Sequence, residues 1–245
     1  MIGCGIGLTR GGGGAPSPAW SPALLGGKLL WLRGDLGVQL VGGKVVQWDD
    51  QSGLGNHGAA LGSGTTQPIQ TTWPAGLGAP AIYFDGNDRL ATAANVLPTA
   101  DGAGFTILFA GAFDDTLARC PVRTNGTSGG DAISQNVGGD SKLEHWKVGV
   151  VFSTDGPART TPLSVVIVDQ VGAAPESVMY VNGAEVPTSA PNGTVLTPSG
   201  PLYVGAAISG QFHKGFIAEI LILSGRASLE TIALWHAYTL SRYGV

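Results

Sequence analysis

Short runs of β-branched and aromatic residues follow one another along most of the chain, separated by Gly, Pro, Asn and Asp. Apolar runs bounded by turn-forming residues are typical of β-strands. No helical period interrupts them before residue 228. The pattern predicts an all-β protein, an antiparallel two-sheet sandwich, with strands at residues 29–32, 45–48, 81–84, 105–113, 143–152, 163–168, 177–181, 202–204 and 216–223.

Two local signals are sharper than the rest. Asn182-Gly183 stands between two apolar runs and predicts a two-residue type I′ turn, because both residues accept a positive φ angle. Ser228 precedes a stretch with apolar residues at helical spacing, and Glu230 falls in its first turn. We therefore expect a short C-terminal helix that begins at Ser228, packs on the sandwich and ends near residues 243–244.

The first 22 residues differ from the rest of the chain. Four successive glycines at 11–14 are followed by Pro16, Pro18 and Pro22, a composition typical of a flexible segment without a core. We divide the chain into an extended N-terminal arm, residues 1–22, and one sandwich domain, residues 23–245. We expect the arm to attach the domain to a partner through these residues: Ile2, Cys4, Ile6, Leu8 and Arg10.

Composition narrows the class of protein. Of 245 residues 40 are glycine, 43% are hydrophobic and 12% are charged, with a net charge of −4, so the chain is too apolar to be disordered. The basic residues are scattered, which argues against nucleic acid as a partner. The start lacks the regions of a secretory signal and no apolar stretch is long enough for a membrane helix. Cys4 and Cys120 are more consistent with two unpaired thiols than with one bridge.

Three segments carry a resemblance to a known family. Residues 45–58 contain Trp-Asp-Asp-Gln-Ser-Gly-Leu-Gly-Asn-His-Gly, residues 81–90 contain Phe-Asp-Gly, and residues 216–223 read Phe-Ile-Ala-Glu-Ile-Leu-Ile-Leu before the terminal helix. In this order they resemble the concanavalin A-like lectin/glucanase sandwich in its laminin-G-like jelly-roll form. The resemblance implies two curved sheets that often bind carbohydrate on the concave face or at the edge loops. Forms with this opening are common in bacteriophage structural and tail proteins and among bacterial surface proteins.

The carboxylates argue against an enzyme. Glycan hydrolysis needs two carboxylates about 5–9 Å apart, one of them protonated. The glucanases of the superfamily carry them as E-x-D-x-x-E, and none of Glu144, Glu176, Glu185, Glu219 and Glu230 lies in such a pattern. Glu219, within the closing strand, is the nearest substitute, although a hydrogen bond to a loop backbone explains it better. We expect no catalytic residues.

Two loops rich in Asp and Asn allow a calcium site. Hard oxygen ligands suit calcium, and lectin-like sandwiches often carry such a site. The alternative is that each side chain caps its own turn by accepting backbone N–H groups, which is the more frequent use of Asp and Asn. The candidate calcium ligands are Asp49, Asp50, Asn56, Asp85, Asn87 and Asp88.

Sugar binding needs an exposed aromatic ring beside polar groups, and a ring in a sandwich strand is more often part of the core. The candidates for carbohydrate contact are Trp73, Trp146, Tyr203, Phe212 and His213.

These observations predict a non-enzymatic subunit of a bacteriophage particle, a capsid decoration or a tail adhesin that touches host glycans. Its expected partners are other virion subunits, further copies of the chain and a cell-surface glycan, and its expected location is the virion, assembled in the host cytoplasm. The first alternative is a free-standing, calcium-dependent lectin. The second is a glycan hydrolase whose carboxylate pair the sequence does not reveal.

Overall fold

The computed structural model describes residues 20–74, 77–100, 102–124, 132–135, 143–147, 150–153, 161–170, 177–187, 199–206 and 211–245. The arm residues expected to make attachment contacts all lie outside this part of the chain: Ile2, Cys4, Ile6, Leu8 and Arg10. The arm's role therefore stays a prediction. Trp20 and Pro22, at the arm's end, are described, and the Trp20 ring packs edge-on against Tyr238 with centroids 5.9 Å apart.

The described residues form seventeen strands and one α-helix. In chain order they are β1 (Lys28–Arg33), β2 (Val38–Val41), β3 (Lys44–Trp48), β4 (Gly58–Ala60), β5 (Ile69–Thr72), β6 (Pro80–Asp85), β7 (Leu90–Ala91), β8 (Gly104–Phe113), β9 (Arg119–Thr124), β10 (Ala132–Gln135), β11 (Leu143–Lys147), β12 (Val150–Ser153), β13 (Leu163–Gln170), β14 (Val178–Val181), β15 (Ala184–Val186), β16 (Leu202–Val204), β17 (Lys214–Ser224) and α1 (Leu229–Tyr243).

The strands form two antiparallel sheets, which confirms the predicted sandwich. The first sheet has the order β15-β14-β13-β8-β17-β6-β5, and β1 also pairs with β17. β6 pairs with residues 214–217 of β17 and β1 with residues 219–223, so the two strands share one edge of β17. The second sheet has the order β12-β11-β10-β9-β16-β7-β4-β3-β2.

A large apolar core fills the space between the sheets. Trp48 and Val204 from the second sheet pack with Phe84 and Phe109 from the first, and all four are fully buried. In β16 the burial alternates, with Leu202 and Val204 buried and the residue between them partly exposed. Such alternation is typical of a strand with one face on the core and the other open.

A second apolar cluster covers the opposite face of the first sheet. There Trp235 of α1 lies fully buried and its Nε1 donates a hydrogen bond to Ser164 Oγ of β13 over 2.9 Å. Because both faces of this sheet are covered, β8 and β17 are buried at nearly every position. In the part of the chain that the structure describes, no helix covers the outer face of the second sheet in this way.

Both local predictions are confirmed. Asn182 and Gly183 have φ angles of 51° and 79° and join β14 to β15. Ser228 caps α1 by accepting the Thr231 N–H, and Gly244 ends the helix in the left-handed conformation. The single strand predicted at 143–152 is wrong, because β11 and β12 form a hairpin there.

Two further observations concern the thiols and membranes. Cys120 is buried and its Sγ donates to the Val122 carbonyl, whereas Cys4 lies outside the described residues. Among the described helices, none is long and apolar enough to cross a membrane.

Candidate functional site

The candidate site lies on the open outer face of the second sheet. Side chains alternate along a strand, so the neighbours of core residues point outward. Tyr203 stands between the buried Leu202 and Val204, and Arg123 stands between the buried Val122 and Thr124. The residues that line the open face can therefore be read from the strand register.

A continuous cross-strand row runs across this face. Each member is the register partner of the next, and from Gln39 to Arg123 the partners' side chains share the outer face. We call the set the row: Gln39, Gln47, Ala59, Ala91, Tyr203, Arg123, Ala132 and Trp146. With neighbouring strands about 4.8 Å apart, the row is about 30 Å long, which suits an extended ligand lying across the strands.

A depression of about 360 Å³ occupies one part of the row. The Tyr203 ring lines one side, and Gln47 and His57 line the other. Between them the register places Ala59 and Ala91, whose small side chains form the bottom of the depression and leave space above it. The depression therefore combines a partly exposed aromatic ring with hydrogen-bonding groups at a fixed distance from it.

A hydrogen-bonded polar cluster fixes the Gln47 end of the depression. Asp49 Oδ1 accepts hydrogen bonds from Gln47 Nε2 (2.6 Å) and Gln39 Nε2 (3.0 Å). The bond from Gln47, more than any other contact, lowers the pKa of Asp49 below its usual value. Asp49 is therefore a carboxylate at neutral pH, and the two amides are held in one orientation.

His57 belongs to the same cluster through Nδ1, which accepts the Asp50 backbone N–H over 3.1 Å and lies 3.5 Å from Asp49 Oδ1. Because Nδ1 is the acceptor in this arrangement, Nε2 is the ring nitrogen that can donate a hydrogen bond beside the depression.

The structure separates the predicted carbohydrate contacts. Tyr203 and Trp146 both belong to the row. Trp73 is a candidate that the structure assigns to the core, because it is only 1% exposed and its Nε1 donates to the Tyr243 carbonyl inside the second apolar cluster. A ring buried in this way offers no face to a sugar.

The other two candidates also lie away from the row. His213 is fully buried against Phe84 and Phe113, and burial lowers its pKa to about 3. Its side chain therefore cannot contact a ligand. Phe212 is half-buried at an isolated bridge to Ala206.

Sequence reasoning missed Gln39, Gln47 and His57, which the register, and not the local sequence, brings to Tyr203.

The first candidate calcium loop is occupied by its own hydrogen bonds. Asp50 Oδ1 accepts the N–H groups of Trp31 and Ser52, and Oδ2 accepts Ser52 Oγ and the Asn56 N–H. Asn56 donates its side-chain amide to Leu29 O. With Asp49 bonded to Gln39 and Gln47, these residues do not fit a calcium ion.

In the second loop one oxygen of each aspartate accepts a backbone N–H from the same loop. Asp88 Oδ2 accepts the Asp85 N–H, and Asp85 Oδ1 accepts the Asn87 N–H. Among the described residues no group of three or more His, Cys, Asp or Glu side chains could hold a metal ion. The turn-capping alternative accounts for Asp50, Asp85 and Asp88, and the calcium interpretation is not supported.

Glu219 serves the packing of α1. It is fully buried, and its carboxylate accepts hydrogen bonds from three side chains on two elements: Trp31 Nε1 at 2.6 Å, Tyr238 Oη at 2.9 Å and Tyr243 Oη at 2.7 Å. The expected bond to a loop backbone is replaced by these side-chain donors. Burial raises the pKa of Glu219 above its usual value. It links β1, β17 and α1 and lies on the first sheet, away from the row.

No family model and no curated protein matches the chain. Its fold is similar to that of several solved structures. Domain 4 of AbnA, a GH43 extracellular arabinanase from Geobacillus stearothermophilus in complex with arabinotriose, is 12% identical with a TM-score of 0.64, over 86% of this chain and 98% of that one. The binding domain of Paraclostridial Mosquitocidal Protein 1 is 13% identical with a TM-score of 0.61, over 86% of this chain and 52% of that one.

The receptor-binding domain of botulinum neurotoxin D is a third similar structure. It is 13% identical with a TM-score of 0.58, over 87% of this chain and 53% of that one. At such low identities the similarity establishes a shared β-sandwich fold. The narrower resemblance to laminin-G-like domains of bacteriophages stays a prediction.

Proposed function

We propose that the chain is a non-catalytic carbohydrate-binding module whose ligand lies along the row. The observation that carries the proposal is the depression between Tyr203 and Gln47. An aromatic ring there offers apolar surface to the C–H face of a sugar, while amide, carboxylate and imidazole groups hydrogen-bond its hydroxyls. The polar groups are held by one another, so little freedom is lost when a ligand binds.

The similar solved structures support a carbohydrate as the ligand of the depression. The AbnA domain was solved with arabinotriose, and the two toxin domains are described as binding and receptor-binding domains. Their shared fold makes a sugar a suitable ligand here, and the position of the site in this chain rests on its own residues.

The arrangement of the carboxylates supports a proposal of binding without hydrolysis. Among the described side chains that line the depression or hydrogen-bond to it, Asp49 is the one carboxylate, and glycoside hydrolysis uses a pair. Glu219 lies buried on the other sheet and its oxygen atoms are taken by three donors. We therefore keep the interpretation that the chain is not an enzyme.

The role in a virion also stays a proposal. In this proposal the sandwich is a capsid decoration or a tail adhesin on a phage particle. The arm attaches it to other virion subunits, and copies of the chain associate with one another. The sequence alone supports the virion role, since the attachment residues lie outside the described part of the chain.

The calcium-dependent lectin is the weaker alternative because the candidate loops cap their own turns.

A glycan array with three proteins tests the function. We expect the unaltered chain to bind at least one glycan, and Tyr203→Ala to weaken that binding at least about tenfold, through loss of the stacking surface. Tyr83→Ala, a partly exposed tyrosine on the first sheet, is the matched control and should bind as before. A chelator should leave binding unchanged. Binding that survives Tyr203→Ala, or no bound glycan at all, would overturn the proposal.

A further inference from the structure

Arg123 is an unusual member of the row. It stands on β9 opposite Tyr203 on one side and Ala132 on the other. Its Nε atom is buried and has no hydrogen-bond partner in the described part of the chain. A guanidinium keeps its charge at any physiological pH, so this buried donor remains unsatisfied until something supplies an acceptor.

Several other arginines differ from Arg123 because each of them has an acidic partner. Arg33 and Arg242 both pair with Asp35, and Arg119 pairs with Asp115. Among the described residues no carboxylate lies within ion-pair distance of Arg123. The row therefore contains a cation whose counter-charge the described chain does not provide.

The position of Arg123 fits a charged substituent on a bound sugar. Neighbouring strands lie about 4.8 Å apart, so a group held by Arg123 belongs to the sugar over Tyr203 or to the next unit. A guanidinium matches the paired oxygens of a carboxylate or a sulfate ester. Arg123 lies on the strand beyond Tyr203, and across the depression the Asp49 carboxylate bonded to Gln47 repels an anion, so only one direction of the ligand is favourable.

We infer that the ligand is an anionic glycan, bound with a carboxylate or sulfate on Arg123 and a sugar ring on Tyr203, and with uncharged units toward Gln47. This inference deepens the proposed function and rests on it. It assigns a chemical class to the ligand and a direction to the chain of sugars.

The test uses pairs of probes in which one member carries an anionic group that the other lacks. The pairs are sialyllactose and its methyl ester, trigalacturonic acid and its methyl ester, and sulfated lactose and lactose. We expect the unaltered chain to prefer the acidic member of at least one pair by about tenfold or more, as one charge-assisted hydrogen bond provides. The preference should decrease as salt rises. The sulfated and carboxylated pairs identify which anion is recognised.

Three variants locate the preference. Arg123→Gln should remove the preference, so that the ratio of acidic to neutral binding falls to about one. Arg123→Lys keeps the charge without the paired donors and should retain part of it. Arg226→Gln, an exposed arginine after β17, is the matched control and should keep all of it. Thermal melts confirm that each variant is folded.

The outcomes separate the two proposals. Equal binding of charged and neutral members, or a preference that survives Arg123→Gln in a folded protein, overturns the anionic ligand and leaves carbohydrate binding standing. No binding of any glycan by the unaltered chain overturns carbohydrate binding itself, and the inference with it.

Discussion

Replacing Asp88 by Asn should stabilise the protein at neutral pH and leave it unchanged in acid. Asp88 is 1% exposed, and although Oδ2 accepts the Asp85 N–H, Oδ1 has no partner in the described part of the chain. Burial, more than the nearby Asp85 charge, raises the pKa of Asp88 from 3.8 to about 6. The folded protein therefore holds this proton more tightly than the unfolded chain does.

The sign and size of the change in the free energy of unfolding follow from the difference between the folded and unfolded pKa of Asp88. Below pH 3.8 both states are protonated and the side chain carries no penalty; as pH rises through about 6, ionisation in the folded state costs free energy. The full difference in pKa corresponds to about 3 kcal/mol, and solvent near the loop reduces it, so we expect about 1–3 kcal/mol at neutral pH. Asn resembles protonated Asp and has no charge to bury.

Urea unfolding of both proteins at pH 4.0 and pH 7.5 measures the effect. Groups such as His213 titrate in both proteins, so their contributions cancel in the difference between the two. We expect nearly equal free energies of unfolding at the lower pH and an advantage of about 1–3 kcal/mol for Asp88→Asn at the higher pH. The same difference at both pH values would refute the reasoning, because it would show that the charge of Asp88 is not what destabilises the fold.

Three further substitutions test the packing by urea unfolding. Gly205→Ala should cost about 2–4 kcal/mol, because Gly205 has φ +86° and a Cβ there would lie 2.2 Å from Phe84 Cδ1; a loss below 1 kcal/mol would contradict this. His213→Leu should reduce the stability lost between pH 7 and pH 4 by about 2–3 kcal/mol, because burial lowers the His213 pKa from 6.5 to about 3 and the unfolded chain takes up its proton first; an unchanged pH slope would refute it. Glu219→Ala should cost about 3–5 kcal/mol by leaving three donors unpaired, two of them buried, and a neutral effect would show that the donors find other partners.

Local chemistry made some elements predictable. The turn at Asn182-Gly183 depends on two residues that accept positive φ, and the helix depends on Ser228 and the periodicity after it. Each signal lies within a few neighbouring residues, so the sequence contains all of it. The uninterrupted apolar runs of β8 and β17 are also local signals, since they mark a sheet that is buried on both faces.

The row could not be predicted because its register is non-local. Tyr203 meets Ala91 and Arg123 across two strand pairs that join distant parts of the sequence. The strands involved are short, and β7 has only two residues, too few for a pattern. Shifting any pair by one residue would move its side chains to the other face, so composition cannot indicate which residues come together.

The same limit explains why Trp73 and His213 were candidates although both are buried. Both carry polar atoms that suit a binding site, and in this fold both are enclosed by apolar side chains from distant strands. The Asp-rich loops show the converse case: their hydrogen bonds are mostly local, and the alternative that each Asp caps its own turn was available from the sequence.

The central claim is that the ligand lies across the second sheet on the row. Backbone amide shifts in a ¹H–¹⁵N spectrum, recorded while a glycan that binds on the array is added, locate the site directly. The account predicts shifts concentrated at Gln47, Ala59, Ala91, Tyr203 and Arg123, with β8, β17 and α1 unaffected. Shifts confined to the first sheet, to α1 or to loops away from the row would contradict it.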